Sequence, residues 1–215
     1  MPLPRSLPPL ETQAHRLIEL KVHLAAGVSE DQLLATAEAG SEQDGHALLV
    51  IHHHHAPASL LAPLLDLRGS KGFVVVDMED VDSFTPVDGI DVPIAPVYIV
   101  RDVDRGDDLA NWSPNEALPE IVGRGRTPLL LTEGIHWVLQ QPEALERNHC
   151  FMTIGSRRRK DDHRLDSRTP AVWISNGTGR DGVARKNAPK VGWCWAGNRH
   201  QWLGFASGTS RSTST

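Results

Sequence analysis

The chain has almost no means of stapling itself covalently. Its two cysteines, Cys150 and Cys194, stand in 215 residues. They make no disulfide framework, and reduced, buried thiols are the ordinary reading. Long apolar runs are missing as well. Ala47–Ile51 and Pro128–Leu131 are among the longest, far short of the ~20 residues that cross a bilayer. The first residues, MPLPRSLPPLE, are broken by prolines and lack the continuous apolar stretch of a secretory signal. No membrane segment is therefore expected, and a cytoplasmic location is. Nor is there an excess of basic residues. The net charge is -5 and the pI about 6.1, well below what nucleic-acid-binding domains show, so nucleic acid is an unlikely partner. What is present is enough apolar material, 40% of the chain, to bury one proper core, and a single domain is the default.

The modest net charge hides a segregation. Residues 1–146 carry 9 Lys/Arg and 23 Asp/Glu, a balance of -14, whereas residues 147–215 carry 13 and 4, a balance of +9. Such asymmetry suits an anionic partner for the last third. The plainer reading, which we favour, is that the basic third packs against the acidic part, within one chain or across a homodimer.

Along the chain, Leu10, Ala14, Leu17, Ile18 and Val22 fall at helical spacing and Gly27 stops the run. Ser29 is placed to cap a second helix, with Glu30 and Asp31 in its first turn. A loop is expected over Gly40–Gly45. Ala47–Ile51 reads as a buried strand, Ala58–Leu67 as a helix and Gly72–Val76 as a second buried strand, a pattern that predicts a parallel βαβ unit. Val97–Arg101 is a further strand. Ser113 and Pro114 open one helix, and Thr132 is the expected cap of another over Glu133–Gln141. Cys150–Ile154 and Ala171–Ser175 read as strands flanking the charged excursion Arg157–Arg168. The fold class that follows is α+β, a single domain over residues 1–206 with N-terminal helices, a βαβ unit and a C-terminal Trp-rich β-hairpin in a mixed sheet. Residues 207–215, rich in serine and threonine, read as a disordered tail.

The most distinctive stretch is PKVGWCWAGNRHQWLGFAS, residues 189–207, with three of the chain's six tryptophans in nineteen residues. Gly197-Asn198 between two strand-like runs is a two-residue hairpin signal. That turn would place Trp193, Trp195, His200 and Trp202 on one face, and Cys194, Gln201 and Leu203 on the other. Three indoles around an imidazole could wall a small anionic or aromatic ligand, with His200 as acid or base and Asn198 and Arg199 as polar positioners. The same cluster could equally be packed core. A Cys194–His200 dyad is disfavoured by the register. Whether the protein is an enzyme stays open, and the competing class is an interaction module whose basic third docks an acidic partner or a second copy of the chain.

This block, together with GFVVVDMEDVDSFTPVDGIDVP, VYIVRDVDRGDDLANWSPNEAL, GRTPLLLTEGI and TPAVWIS, resembles an uncharacterised, mainly actinobacterial family known as a domain of unknown function. The likeness runs roughly from Leu17 to Ser207. It implies one whole-chain domain and brings no reaction, cofactor or catalytic residue.

Three further motifs are weaker. His52–His55 follows directly from a strand and, with Asp77, Glu79, Asp80 and Asp82 expected at the same sheet edge, could chelate a metal. Low-complexity histidine runs are usually solvated loops, however, and no metal site is assigned. Gly177–Gly182 matches G-x-G-x-x-G, but only six residues separate it from Pro189, too few for the helix a dinucleotide needs. Asp102, Asp104, Arg105, Asp107, Asp108 and Asn111 read as a polar surface turn.

Overall fold

The computed structural model describes residues 6–41 and 46–213. Residues 42–45 of the expected Gly40–Gly45 loop, and 214–215 of the expected tail, lie outside them. The first helical pattern forms as two pieces, α1 (Leu10–Glu19) and α2 (Val22–Ala26), because Lys21 takes a left-handed conformation at φ 56° and turns the axis. Leu10, Ala14, Leu17 and Val22 are buried, and Gly27 at φ 65° ends the second piece. Helix α3 (Glu30–Gly40) starts as expected. Ser29 Oγ accepts from Gln32 N at 3.1 Å and Gln32 Oε1 accepts from Ser29 N at 2.9 Å, a reciprocal cap.

Strand β1 (Leu48–Ile51) is fully buried, but the βαβ unit does not form. Helix α4 (Ala58–Leu61) lasts one turn and tightens into a 3₁₀ turn through Pro63. The chain then doubles back through β2 (Asp66–Leu67) and β3 (Ser70–Lys71), with Arg68 and Gly69 both at positive φ in the intervening turn. Strand β4 (Phe73–Val74) consequently enters a different sheet from β1. The reversal, carried by Arg68-Gly69, overrides the crossover.

After β5 (Phe84–Pro86) and β6 (Val97–Arg101) comes α5 (Pro114–Gly123), whose Ser113 donates Oγ–H and N–H to Glu116 Oε2 at 2.7 and 2.9 Å. Strand β7 (Thr127–Pro128) leads into α6 (Leu131–Gln140). This helix begins earlier than expected, and Thr132 is not its cap. Glu133 accepts the Leu130 N–H at 2.7 Å instead, which moves the first turn back. The remaining strands are β8 (Cys150–Met152), β9 (Ser156–Arg158), β10 (Arg168–Ile174), β11 (Pro189–Trp195), β12 (Leu203–Phe205), β13 (Ser207–Gly208) and β14 (Ser210–Ser212).

These strands build a three-stranded antiparallel sheet, β1-β6-β14, and a five-stranded mixed sheet, β12-β8-β10-β11-β4, with three two-stranded ribbons at their margins. Helix α6 packs against both β1 and β10, and all ten of its residues are buried. It is the pin between the sheets. Trp137 stacks on Phe151 with ring centroids 5.0 Å apart, and a side chain at Gly134 would strike Thr153, so glycine lets the helix reach the sheet. The fold is α+β and forms a single core running from Leu7 to Ala206. None of the helices among the described residues is long and apolar enough to cross a membrane.

The tail expected to be disordered is strand through Ser212. Ser207 and Gly208 pair with β7, and Ser210–Ser212 pair with β6. Composition suggested otherwise because the anchor is one residue, Arg211, whose partner Glu133 is remote in sequence. The charge segregation resolves within the chain. Arg158 and Arg168 meet Asp80 at 2.7 and 2.6 Å, Arg159 meets Asp88 at 2.7 Å, Arg180 meets Asp77 at 3.3 Å, and Arg199 and Arg211 pair with Glu116 and Glu133. Every one of these pairs joins the basic third to the acidic part.

Candidate functional site

The Trp-rich block is not a hairpin. Strands β11 and β12 are separated in the sheet by β10 and β8, and neither Gly197 nor Asn198 takes the positive φ a tight hairpin turn requires. Asn198 N instead closes a short turn onto Trp195 O at 2.9 Å. Long-range anchors then carry the chain away from β11. Arg199 pairs with Glu116, and Asn111 N donates to His200 O at 2.9 Å.

The four rings expected on one face accordingly separate into two pairs. Trp193 and Trp195 lie edge to face, with centroids 4.5 Å apart. They share their side of β11 with Arg168, whose guanidinium sits 6.0 Å from the Trp193 ring and 5.3 Å from Phe84. His200 lies 5.5 Å from Trp202, which meets Trp173 at 6.4 Å. Trp173 is paired in register with Lys190, on the opposite face of β11 from Trp193 and Trp195. Burial lowers the His200 pKa, and its Nε2 is buried without a hydrogen-bond partner. Burial pushes the Cys194 thiol up to about 11, so it is no ready nucleophile.

The Trp193 side is dominated by a clamp of ions. Arg168, 14% exposed, bridges Asp80 and Asp166 at 2.6 and 3.0 Å and ties the loop after β4 to β10. Its hydrogen bonds hold the Asp80 carboxyl below the usual carboxylate range. Other polar clusters are likewise consumed internally. In the glycine loop, Asp181 accepts from Ser175 Oγ and Lys190 Nζ, both at 2.8 Å, while Arg180 pairs with Asp77 across a cleft of about 340 Å³. Among the described residues, no α-helix follows the glycines. Among the acidic residues of the 102–111 turn, Asp102 meets Arg126 at 2.7 Å, Asp107 meets Arg105 at 2.8 Å and Asp108 meets Arg124 at 2.5 Å.

Three of the four carboxylates expected beside the histidine run are engaged elsewhere, and the fourth, the exposed Glu79, is not among the residues lining the groove. Asp77 and Asp80 are in the ion pairs just described, and Asp82 accepts from Ser59 N and Oγ at 2.9 and 2.5 Å. The run itself is an ordered turn and not a solvated loop. His52 N donates to Pro96 O at 2.8 Å, and His55 N and Ala56 N both return to His52 O, at 2.8 and 3.0 Å. This turn at the end of β1 gathers the imidazoles. His52 stacks on His53 at 4.2 Å between centroids, and His54 lies 4.7 and 4.3 Å from the two. Their nearest ring nitrogens all fall within 4.8 Å of one another. His52 is buried, His53 half-buried and His54 exposed. His53 Nδ1 is nonetheless buried and unpartnered.

Above the turn lies a groove of about 520 Å³, lined by the four histidines and by Thr85, Pro86, Ile90, Asp91, Val92 and Ile94. Burial, reinforced by the neighbouring imidazoles, lowers the pKa of His52 and takes that of His53 to about 4, so both are neutral at physiological pH. Behind them stands a buried polar assembly that sequence reasoning missed. Tyr98, its ring 6.1 Å from His52, donates its O–H to Glu133 at 2.8 Å, and Glu133 is paired with Arg211. His136 accepts from Ile51 N at 3.2 Å through Nε2, and its Nδ1 lies 2.8 Å from Thr132 O, which fixes one neutral tautomer. The only hint in the sequence was a carboxylate, Glu133, and an imidazole, His136, set among the apolar positions of α6.

The chain matches the family described as a family of unknown function, DUF5701, over residues 16–214. It belongs to that family, in agreement with the resemblance seen in its motifs. No curated protein and no solved structure is significantly similar to it.

Proposed function

We propose that this member of the family binds a small molecule in the groove over the histidine turn. The observation that carries the reading is two neutral imidazoles, His52 and His53, the second with a buried and unpartnered nitrogen, in a cleft with apolar walls. Pockets for small ligands combine such walls with a few convergent polar groups. The ligand class that fits has an apolar body for Pro86, Ile90, Val92 and Ile94 and a polar head for the imidazoles.

The alternative drawn from the sequence, an aromatic face for a flat ligand, retains only the pair Trp193 and Trp195, with Trp195 47% exposed. His200, Trp202, Asn198 and Arg199 do not join it. The alternative of a basic docking surface loses support from the ion pairs within the chain, which engage Arg158, Arg159, Arg168, Arg180, Arg199 and Arg211 with the acidic part.

Nuclear magnetic resonance separates these readings. Titration of the ¹⁵N-labelled protein with small phenols and aromatic carboxylates should move the amide signals of His52–His55 and Thr85–Ile94. Thr85→Trp, which fills the groove, should abolish those shifts. Movement confined to the Trp193 and Trp195 indole N–H signals would transfer the site to the aromatic pair. No movement at either place would end the small-molecule reading.

A further inference from the structure

We infer that His52, His53 and His54 form a three-imidazole site for a divalent transition-metal ion, with its remaining coordination position open to the groove. The site goes beyond the small-molecule reading and does not require it. Among the described residues this is the one group of three potential ligands close enough to share an ion. It is built from a strand end and a tight turn held by three backbone hydrogen bonds, and so is fixed by the fold and not by chance proximity.

Three features argue for an ion. The first is that three rings crowd together with no hydrogen bond between them, a costly arrangement for the buried His52 and half-buried His53, which have given up water that the exposed His54 keeps. The second is the unpartnered, buried Nδ1 of His53. The third is the donor set. Imidazole nitrogen without thiolate suits zinc, nickel, cobalt(II) or copper(II), and not magnesium or calcium.

The geometry also states what must move. Ligand nitrogens on a tetrahedral zinc with bonds of about 2.0–2.1 Å stand about 3.3 Å apart, so the separations of up to 4.8 Å must shorten. The exposed His54 and half-buried His53 can supply this by side-chain rotation. His52 Nδ1 accepts from His54 N at 3.2 Å, and coordination through that atom exchanges a weak contact for a metal bond. His55 is outside the cluster whose ligand atoms lie within 4.8 Å of one another, and its Nδ1 is held 3.2 Å from Ala26 O. Tyr98 backs His52, and the charge of Glu133 behind it is balanced by Arg211. Asp91 is the only carboxylate lining the groove and stands outside the ligand cluster. Three protein nitrogens with an exchangeable fourth position is the pattern of a reactive site and not of a closed structural one.

The experiment is titration calorimetry of the metal-free full chain with zinc chloride, repeated with cobalt chloride while recording the cobalt absorption spectrum. One equivalent should bind, and cobalt should give the intense visible bands of a tetrahedral complex. His53→Ala and His54→Ala should each weaken binding at least about tenfold, since even residues that merely orient a ligand cost that much. His55→Ala should leave affinity within about twofold of the parent. That contrast matters because each variant keeps three histidines. A run acting as a loose chelator would lose affinity equally in all of them, and that result, or the absence of saturable binding, overturns the site. His54 is exposed, so His54→Ala keeps the test valid should His53→Ala fail to fold. Groove shifts with organic ligands would survive a negative result here, so the two readings fail separately.

Discussion

Arg211 grips both carboxylate oxygens of Glu133, Nε to Oε1 at 2.6 Å and Nη2 to Oε2 at 2.7 Å, with side chains 2% and 0% exposed. Thr127 Oγ1 and Pro128 O accept two further N–H groups at 2.5 and 2.9 Å. One arginine thereby joins β14 to the start of α6 and to β7.

Removing one partner of a buried pair strands the other's charge, at a cost of about 3–5 kcal/mol. Arg211→Ala should therefore lower the urea midpoint strongly. The double variant Glu133→Gln/Arg211→Met, which leaves no buried charge, should recover part of the loss. Wild-type midpoints for Arg211→Ala would show that the last strand contributes nothing to the fold.

Gly106 and Gly125 form a matched pair for testing close approach. Both have positive φ, 68° and 70°, but a Cβ on Gly106 would clash with Phe205 O, whereas one on Gly125 meets nothing within 4 Å. Gly125→Ala should cost only the left-handed backbone term, about 1–2 kcal/mol. Gly106→Ala should cost clearly more, because β12 must shift as well. Equal losses of thermal midpoint would refute the packing of the 106 turn against β12.

His136 should make the fold acid-sensitive well above the carboxylate range. Burial takes its pKa from 6.5 to about 4, so the folded protein keeps it neutral while the unfolded chain protonates it below 6.5. Its contribution is intact above pH 6.5 and is lost progressively as pH falls from there to about 4. Each pH unit in that window should remove up to about 1.4 kcal/mol. His136→Gln should flatten the dependence of urea stability between pH 7 and 5, and an unchanged slope would contradict a buried neutral imidazole.

Asp80 acts in a lower window. Hydrogen bonding to Arg168 depresses its folded pKa below 3.8, so its contribution is complete above that value and disappears as pH falls through the folded pKa. Asp80→Asn should be less stable than the parent near neutrality and converge with it in strong acid. A gap that persisted there would point to lost packing and not lost charge.

Local signals were legible in the sequence. The Ser29 and Ser113 caps, the strands around Leu48–Ile51, Val97–Arg101 and Pro189–Trp195, and the α+β class all follow from residues within a few positions of one another. Pairing was not legible. Gly197-Asn198 carries a valid hairpin signal, but Glu116 and Asn111, more than eighty residues earlier, hold Arg199 and His200 away from it. The histidine turn was visible as a run. What could not be read was that Pro96 and the 85–94 loop would enclose it, since those contacts belong to the assembled sheets. Of the acidic residues expected there, Asp77 and Asp80 are claimed by arginines more than seventy residues later and Asp82 by Ser59.

The order of the strands has a consequence for synthesis. Strand β4 waits for β11, β8 for β10 and β12, and β6 for the second of its two neighbours, β14. A ribosome that has extruded the first 160 residues therefore presents unpaired, apolar strand edges that no earlier part of the chain can cover. Stalling or proteolytic loss at that stage should yield insoluble material and not a smaller folded unit, which makes the final quarter of translation the point at which the nascent protein depends on chaperones.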